Sequence, residues 1–345
     1  MTPAELGYKM PPEWAEHQRT FMEWPRKEAE WPEPFEAVLP AFASIVKAIA
    51  KFEPVTVIAN PDLTEEAARF CGPGIEILAI EHNDSWMRDN GPTFLLNEKG
   101  ELAGINWIFN AWGGKFPSRH DNLVAPKLLQ HYRVPCFNAP LVMEGGSFHV
   151  DGEGVLLTTT ECLLNRNRNP HLKKEEIEAY LRQYLNISKV IWLNQGWTGD
   201  DTDGHIDNIA CFARPGLIIT QVCSDPNDLN YEISQENLEI LKKATDINGR
   251  PFKIIEIEQP PAAYYGSLRL TLSYLNFYLV NAGIILPVFG NKASDKAAFK
   301  ALKKAFPKRQ IVTVDGLTIA RGGGNVHCLT QQMPAGKINS VGSIG

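Results

Sequence analysis

Short runs of Val, Ile, Leu, Thr and aromatic residues recur along the chain, as is typical of strands that are buried on at least one face. Nine such runs predict strands, at residues 55–59, 75–80, 104–109, 155–160, 189–193, 217–222, 252–258, 274–280 and 311–314. Between them, residues 176–185 and 297–306 place their apolar side chains on one helical face. Strands that alternate with helices indicate an α/β fold.

A second pattern consists of five short segments that combine turn residues, a polar group and then an apolar run. They lie at residues 86–94, 144–150, 203–209, 276–283 and 322–329. Units that recur at intervals of about fifty to seventy residues favour a repeat architecture around one centre. Five unrelated turns that lead into strands of an ordinary α/β protein remain the alternative.

Composition narrows the class of protein. The chain has 345 residues, with 34 Lys and Arg against 40 Asp and Glu, which gives a net charge of −6. This acidic balance argues against a nucleic-acid partner or an anionic membrane surface, since both select basic proteins. No Pro-, Gly- or Ser-rich linker divides the chain, so we expect one catalytic domain over residues 1–345.

The start of the chain, its apolar stretches and its cysteines indicate in which cellular compartment the protein resides. The chain begins without a basic segment followed by an apolar run, and no apolar stretch is long enough to cross a bilayer. Its six cysteines show neither paired nor zinc-ligand spacing. We therefore expect a cytoplasmic protein with reduced thiols, without a structural metal. Homo-oligomerisation is left open.

Cys328 is the candidate nucleophile. It follows three consecutive glycines, which let a backbone approach a ligand closely, whereas the other five cysteines lie in apolar or helical settings and are assigned to the core. His205 lies among four acids at positions 200, 201, 203 and 207. Such carboxylates raise the pKa of an imidazole and favour a general acid. On a strand, His205 and Asp207 would share one face.

Further acids lie in glycine-containing turns. Glu144 precedes Gly145, and Asp89 stands in a Met-Arg-Asp-Asn-Gly-Pro segment next to Trp86. A thiol with a histidine indicates nucleophilic catalysis, but a papain-type protease has no use for so many carboxylates. Paired carboxylates match the forked donors of a planar guanidinium, so we expect a small cationic guanidino substrate.

Together these residues resemble the agmatine deiminases of the guanidine-modifying, or pentein, superfamily. The resemblance runs from about residue 10 to residue 335 and rests on six ordered blocks. The blocks begin at Met10, Trp86, Asn110, Glu144, Gly204 and Gly322, the fourth continuing to the Asn-Arg-Asn-Arg-Asn-Pro motif at 165–170. Two features depart from the family pattern, namely a short 259–267 stretch and Asp203 where relatives often carry Asn.

The resemblance implies a five-bladed pseudo-symmetric α/β propeller with its site on the central axis, and no cofactor or metal. It implies that Cys328 is the nucleophile, that His205 is the general acid and base, and that Glu144 is a catalytic acid. Asp89 and Asp207 would clamp the guanidinium, with Trp86 packed nearby.

The expected reaction is hydrolytic deimination of agmatine to N-carbamoylputrescine and ammonia. The acids around position 201 suit the ammonium tail of agmatine, and Asp201 is the expected tail ligand. Deimination of arginine in peptides, amidino transfer to an amine and a non-catalytic binding propeller are the alternatives.

Overall fold

The computed structural model describes residues 1–27, 31 and 34–338. The strands are β1 (His17–Glu23), β2 (Val55–Ala59), β3 (Glu76–Ala79), β4 (Thr93–Leu96), β5 (Leu102–Ile108), β6 (Cys136–Val142), β7 (Phe148–Val150), β8 (Val155–Thr159), β9 (Lys189–Leu193), β10 (Ala210–Arg214), β11 (Leu217–Val222), β12 (Lys253–Glu258), β13 (Tyr264–Tyr265), β14 (Leu268–Arg269), β15 (Tyr278–Val280), β16 (Gly283–Val288), β17 (Gln310–Asp315) and β18 (Gln331–Pro334). The helices are α1 (Val38–Ile49), α2 (Thr64–Cys71), α3 (Met87–Asn90), α4 (Ala111–Gly114), α5 (Val124–His131), α6 (Thr160–Leu163), α7 (Lys174–Leu185), α8 (Tyr231–Lys243), α9 (Lys292–Ala305) and α10 (Leu317–Ala320).

One sheet pattern occurs five times. The orders are β4-β5-β6, β7-β8-β9, β10-β11-β12, β15-β16-β17 and β18-β1-β2-β3. In each sheet the first strand pairs antiparallel with the second, and the second pairs parallel with the third. A parallel pair needs a crossover connection, and helical segments supply it in every case. The repeat is therefore an α/β blade.

The five blades form the α/β propeller that the sequence predicts. The first strand of each blade lies at the end of, or directly after, one of the five turn segments singled out above, which agrees with the repeat interpretation. Strands from the two ends of the chain share one sheet, because β18 pairs with β1. This pairing closes the ring of blades and places the C-terminal turn segment beside the other four.

Most predicted elements are confirmed, and the errors have local causes. The bounds of β2, β9 and β11 agree with the prediction, whereas the strand predicted at 274–280 shortens to β15. Its first half is a buried turn, in which Asn276 bonds to distant residues instead of extending a ladder. Short first strands such as β7, with three residues, carry too few apolar positions to be recognised.

The core lies between the sheets and their outer helices. Helix α1 buries eight of its side chains, including Phe42, Ile45 and Ile49, against the closing blade. Helix α7 does the same with Ile177, Leu181 and Leu185, which confirms the predicted apolar face. The apolar core therefore lies on the outer side of the sheets. Polar residues collect at the inner ends of the first strands, and these ends form the candidate site. Among the described residues, no helix has the length and apolar character needed to span a membrane.

Candidate active site

A cavity of about 180 Å³ is lined by residues of the first and the last of the five turn segments, together with residues of three other loops. Trp86, Trp112 and Phe116 form an aromatic wall, and the glycines at 322–324 form another side. Asp89 and Cys328 lie at its inner end. The hairpin of β13 and β14 borders its mouth, since residues 268–271 also line the cavity. The short 259–267 stretch thus leads directly into this border.

The Cys328 thiol is held by groups from two other blades. Its Sγ lies 3.1 Å from Asn276 Nδ2 and 3.3 Å from Asp207 Oδ2. Gly324 permits this placement, because a Cβ there would lie 2.4 Å from the Trp86 ring and 3.0 Å from the Cβ of Cys328. The predicted role of the glycines in a close approach therefore holds at Gly324.

The resting thiol is protonated. Burial raises the pKa of Cys328 well above its usual value, and the carboxylates of Asp207 and Asp89 raise it further. The hydrogen bond from Asn276 acts in the opposite direction and is outweighed. A cation placed beside these carboxylates would cancel their effect, so a guanidinium would favour the thiolate.

The His205 side chain is fully buried among acids. Its Nδ1 lies 3.8 Å from Asp89 Oδ2, and its Nε2 lies 3.7 Å from Glu144 Oε2. Neither ring nitrogen has a hydrogen-bond partner in the described part of the chain. Burial opposes a positive charge on the imidazole. The charge of Asp89, together with Cys162 and Glu144, outweighs burial and raises the pKa of His205 well above its usual value. These surroundings thus favour the protonated form of His205.

His205 and Asp207 lie in a turn, so the shared strand face considered for them above does not apply. They stand at the start of a single 3₁₀ turn, residues Ile206–Asn208, that precedes β10. The turn directs Asp207 toward Cys328 and His205 toward Asp89 and Glu144. The segment contains glycine and many acids, and these features favour a turn over a strand.

Asp89 is oriented by two donors. Its Oδ1 accepts from the backbone N–H of Gly146 at 2.9 Å, and its Oδ2 accepts from Trp112 Nε1 at 2.9 Å. Trp112 reaches it from a strained turn, in which Ala111 and Trp112 both have φ of 53°. Asn110 caps that turn by accepting from Gly113 N. The block that begins at Asn110 therefore serves to present the indole N–H to Asp89.

Glu144 is the buried end of a chain of charges that reaches the surface at Lys115. Arg168 Nε donates to Glu144 Oε1 at 2.7 Å, and Arg168 Nη1 donates to Asp203 Oδ2 at 2.8 Å. Lys115 Nζ donates to Asp203 Oδ1 at 2.7 Å. Burial opposes ionisation of Glu144, but Arg168 and His205 lower its pKa below the usual value. Asp203 consequently acts as a counter-ion of Arg168 and Lys115.

The acids before His205 differ in their surroundings. Asp201 lines the cavity, as expected for a ligand of a cationic tail. Asp200 is occupied within its own turn, where it accepts from the backbone and hydroxyl of Thr202. Trp86, which stacks on Trp31 with ring centroids 5.3 Å apart, lines the cavity too. One of the three acids near position 201 therefore faces the substrate space.

The structure brings together all seven residues selected from the sequence. It also adds Asn276, Arg168 and Trp112, which the sequence analysis did not select as site residues. Each of them lies in a segment that the analysis marked as a turn unit or as part of a motif, and this membership was the available signal. Cys162, assigned to the core, is buried but lies 3.9 Å from Glu144 Oε2.

One group of donors has the spacing of a metal site. Among the described residues, Glu144, Cys162 and His205 bring ligand atoms within 4.8 Å of one another. Arg168 already occupies one oxygen of Glu144, and its charge opposes a cation at this point. We therefore interpret Glu144 and Cys162 as residues that hold the imidazole of His205 in place, and not as metal ligands.

The close approach of Gly146 leads to a first prediction. A Cβ at this position would lie 2.6 Å from His205 Nδ1, 2.9 Å from Asp89 Oδ1 and 3.0 Å from Asp207 Oδ2. We expect Gly146→Ala to lower kcat/KM by about 10²-fold or more, because a displacement of about 1 Å misplaces reacting groups. Steady-state kinetics with a melting curve tests this. An alanine variant with native activity would contradict the placement of these side chains.

Comparison with known proteins finds relatives that match nearly the whole chain. Residues 9–334 match the Porphyromonas-type peptidyl-arginine deiminase family. A Legionella pneumophila protein is 49% identical over 335 residues, covering 96% of either chain. The agmatine deiminase of Stutzerimonas stutzeri is 43% identical over 363 residues, covering 97% of either chain. The solved agmatine deiminase of Enterococcus faecalis is 37% identical and covers 96% of this chain and 97% of its own, with a TM-score of 0.93.

A solved structure with little sequence identity to this chain has a similar fold. A solved dimethylarginine dimethylaminohydrolase covers 92% of this chain with a TM-score of 0.52 at 13% identity. The family match and the agmatine deiminase relatives, together with the five α/β blades, place the protein in the guanidine-modifying, or pentein, class. Within that class, the chain belongs to the Porphyromonas-type peptidyl-arginine deiminase family, in the group that contains the agmatine deiminases.

Proposed function

We propose that this protein hydrolyses agmatine to N-carbamoylputrescine and ammonia, with Cys328 as a covalent nucleophile. The observation that carries the proposal is the contact of the Cys328 thiol with the buried carboxylate of Asp207, next to a cavity that Cys328 and the buried Asp89 line. Asp207 Oδ1 has no hydrogen-bond partner among the described residues. A guanidinium supplies the donors that such oxygens lack.

The first half of the reaction forms a covalent adduct. Asp89 and Asp207 hold the guanidinium plane, and the substrate charge favours the Cys328 thiolate, whose proton passes to solvent. The sulfur attacks the central carbon and forms a neutral tetrahedral adduct. His205 then donates its proton to one terminal nitrogen, and the carbon–nitrogen bond breaks. Ammonia leaves, and a cationic S-alkylthiouronium remains on Cys328.

The second half restores the enzyme. The now neutral His205 removes a proton from water, and the hydroxide adds to the thiouronium carbon. Collapse of this second adduct breaks the carbon–sulfur bond and returns the electron pair to sulfur. The remaining oxygen proton passes to the Cys328 sulfur and restores the thiol. The urea-type product leaves, and His205 is again an imidazolium. Glu144 stabilises that imidazolium in both halves, since its free oxygen faces Nε2.

The test of this function is a substrate panel. Ammonia release and product mass are measured with agmatine, free arginine, a peptide containing arginine, and agmatine plus an acceptor amine. We expect ammonia and the urea-type product from agmatine. No ammonia from agmatine under any condition would reject the proposal, and an amidino-transfer product would change the reaction class.

The acid at position 201 gives a second prediction. Its carboxylate lines the cavity, and an ion pair at a partly exposed site contributes modestly, so Asp201→Asn should raise the KM for agmatine about threefold to tenfold. Butylguanidine, which lacks the ammonium, should show no such rise. Asp62→Asn, at an exposed position away from the cavity, is the matched control. An equal rise for both substrates would remove Asp201 from the tail site.

Deimination of arginine, free or in a peptide, is a second candidate function, and basic residues that line the cavity favour it. Arg269 and Arg321 also line it, and a cation there would suit the carboxylate of arginine. Arg269 is engaged, since its Nη2 lies 2.8 Å from both carboxylate oxygens of Asp228. Arg321 lies over the Tyr265 ring, with the guanidinium carbon 5.7 Å from the centroid. Free arginine and an arginine peptide are included in the panel for this reason.

A further inference from the structure

The N-terminal segment brings a carboxylate into the interior beside the turn that carries Cys328. Glu13 is 6% exposed, and its Oε1 lies 2.8 Å from His327 Nε2, although 314 residues separate the two. Its Oε2 lies 3.5 Å from His149 Nε2, and Arg88 Nη1 lies 3.5 Å from Oε1. A buried carboxylate needs such partners, because an isolated charge is costly to bury. The reaction described above makes no use of Glu13.

The imidazole of His327 lies between two carboxylates. Its Nε2 faces Glu13 as described, and its Nδ1 lies 2.9 Å from Asp207 Oδ2. Since carboxylates only accept, two such hydrogen bonds need a proton on each nitrogen. Burial and the nearby Arg88 oppose this charge, but Glu13 and Asp207 outweigh them and raise the pKa of His327. The two contacts therefore favour a protonated His327 directly before Cys328.

The two carboxylate oxygens of Asp207 differ in their contacts. Oδ2 accepts from His327 and faces the Cys328 thiol at 3.3 Å, whereas Oδ1 is buried without a partner in the described chain. Burial opposes ionisation of Asp207, but the hydrogen bond and the charge of His327 lower its pKa. Rotation of the carboxylate would break this charge-assisted bond. His327 thus fixes both the charge and the direction of Asp207.

We propose that Glu13 and His327 are positioning residues for substrate binding. Glu13 holds the imidazole of His327, and His327 in turn holds the Asp207 carboxylate in its place beside the Cys328 thiol, where it can contact the guanidinium. The inference rests on the proposed function, because it concerns how that site holds its substrate. The backbone of residue 327 is anchored separately by Asn276, whose Oδ1 accepts from His327 N at 3.0 Å. The side chain can therefore be changed while this anchor remains.

Two amides distinguish the two nitrogens of His327. The side-chain nitrogen of Asn takes the place of Nδ1 and can still donate to Asp207, whereas that of Gln takes the place of Nε2 and reaches only toward Glu13. We expect His327→Gln to raise the KM for agmatine about tenfold to a hundredfold with kcat lowered less than about fivefold. His327→Asn should recover most of that loss. Steady-state kinetics and melting temperatures are measured for both variants.

A structural role would give a different result. It predicts that the Asn and Gln variants lose stability and kcat to the same extent, with no selective rise in KM. That outcome, or a Gln variant with the wild-type KM, would overturn the inference. Glu13→Gln serves as a second variant in case the His327 variants do not fold. It keeps an acceptor for Nε2 but removes the charge, so a KM rise of about threefold to tenfold is expected, and an unchanged KM would count against the inference.

The two proposals can fail separately. The same substitutions are made on the Cys328→Ser background, and agmatine binding is measured by calorimetry without turnover. Failure of the wild-type protein to release ammonia would reject the reaction but leave the binding comparison intact. Equal agmatine affinity of His327→Gln and His327→Asn on this background would reject the positioning role, even if the wild-type protein is active.

Discussion

Replacement of Cys328 by serine is expected to abolish ammonia release from agmatine while leaving agmatine binding in place. A hydroxyl is a far weaker nucleophile than a thiol at this position, where no described base contacts it other than Asp207 Oδ2. We expect kcat to fall by at least about 10⁴-fold. The carboxylates that hold the guanidinium are unchanged in the variant, so calorimetry should show a dissociation constant near the KM of the wild-type enzyme.

Mass spectrometry provides the direct test of the covalent route. An acid quench of the wild-type enzyme with agmatine should show a fraction of Cys328 heavier by the mass of agmatine minus ammonia. The modification should be absent from Cys328→Ser. Cys136→Ser, which changes a half-buried thiol away from the cavity, is the control and should keep native activity. A Cys328→Ser protein with native turnover would reject covalent catalysis.

The substrate itself should control the reactivity of this thiol. Burial, Asp207 and Asp89 raise the pKa of Cys328 well above its usual value, so the free enzyme holds a thiol at neutral pH. Bound guanidinium neutralises the two acids and removes the electrostatic part of this shift. The pocket therefore couples ionisation of the nucleophile to occupation by a cation. A resting thiol of this kind is also poorly reactive toward other electrophiles, which limits side reactions.

The sequence was sufficient for the residues whose local context is unusual. Cys328 follows three glycines, and His205 stands among acids, so each could be recognised without knowledge of its neighbours. Strongly apolar strands such as β11, where all six residues are buried, could be recognised for the same reason. These features depend on nearby residues, which a single sequence displays.

Other features depend on contacts between distant blades. Asn276 reaches Cys328 across 52 positions, and Glu13 reaches His327 across 314. Nothing in the local sequence of Glu13 separates it from an exposed acid, because its burial follows from the closure of the ring by β1 and β18. Arg168 likewise lies in a polar segment, and its role appears only when Glu144 and Asp203 are brought to it. Such pairings follow from the topology, which local patterns do not specify.

His205→Gln is expected to lower kcat by about 10²–10⁴-fold, which corresponds to roughly 3–5 kcal/mol of lost transition-state stabilisation. The imidazole is proposed both to protonate the leaving ammonia and to activate water, and glutamine can do neither. Its amide preserves much of the volume between Asp89 and Glu144, so the fold should be retained. Single-turnover kinetics should show slowing of both adduct formation and its hydrolysis.

The pH profile separates this role from a purely structural one. Asp89, Cys162 and Glu144 outweigh burial and raise the pKa of His205, so its imidazolium form should persist through neutral pH. The rate should fall as pH rises through that raised pKa, since the imidazolium is then lost. His205→Gln should lack this alkaline fall, whereas His131→Gln, at an exposed site, should retain it. If the alkaline fall persists unchanged in His205→Gln, another group is the acid, and Glu144 and Asp89 support an imidazole that takes no part in proton transfer.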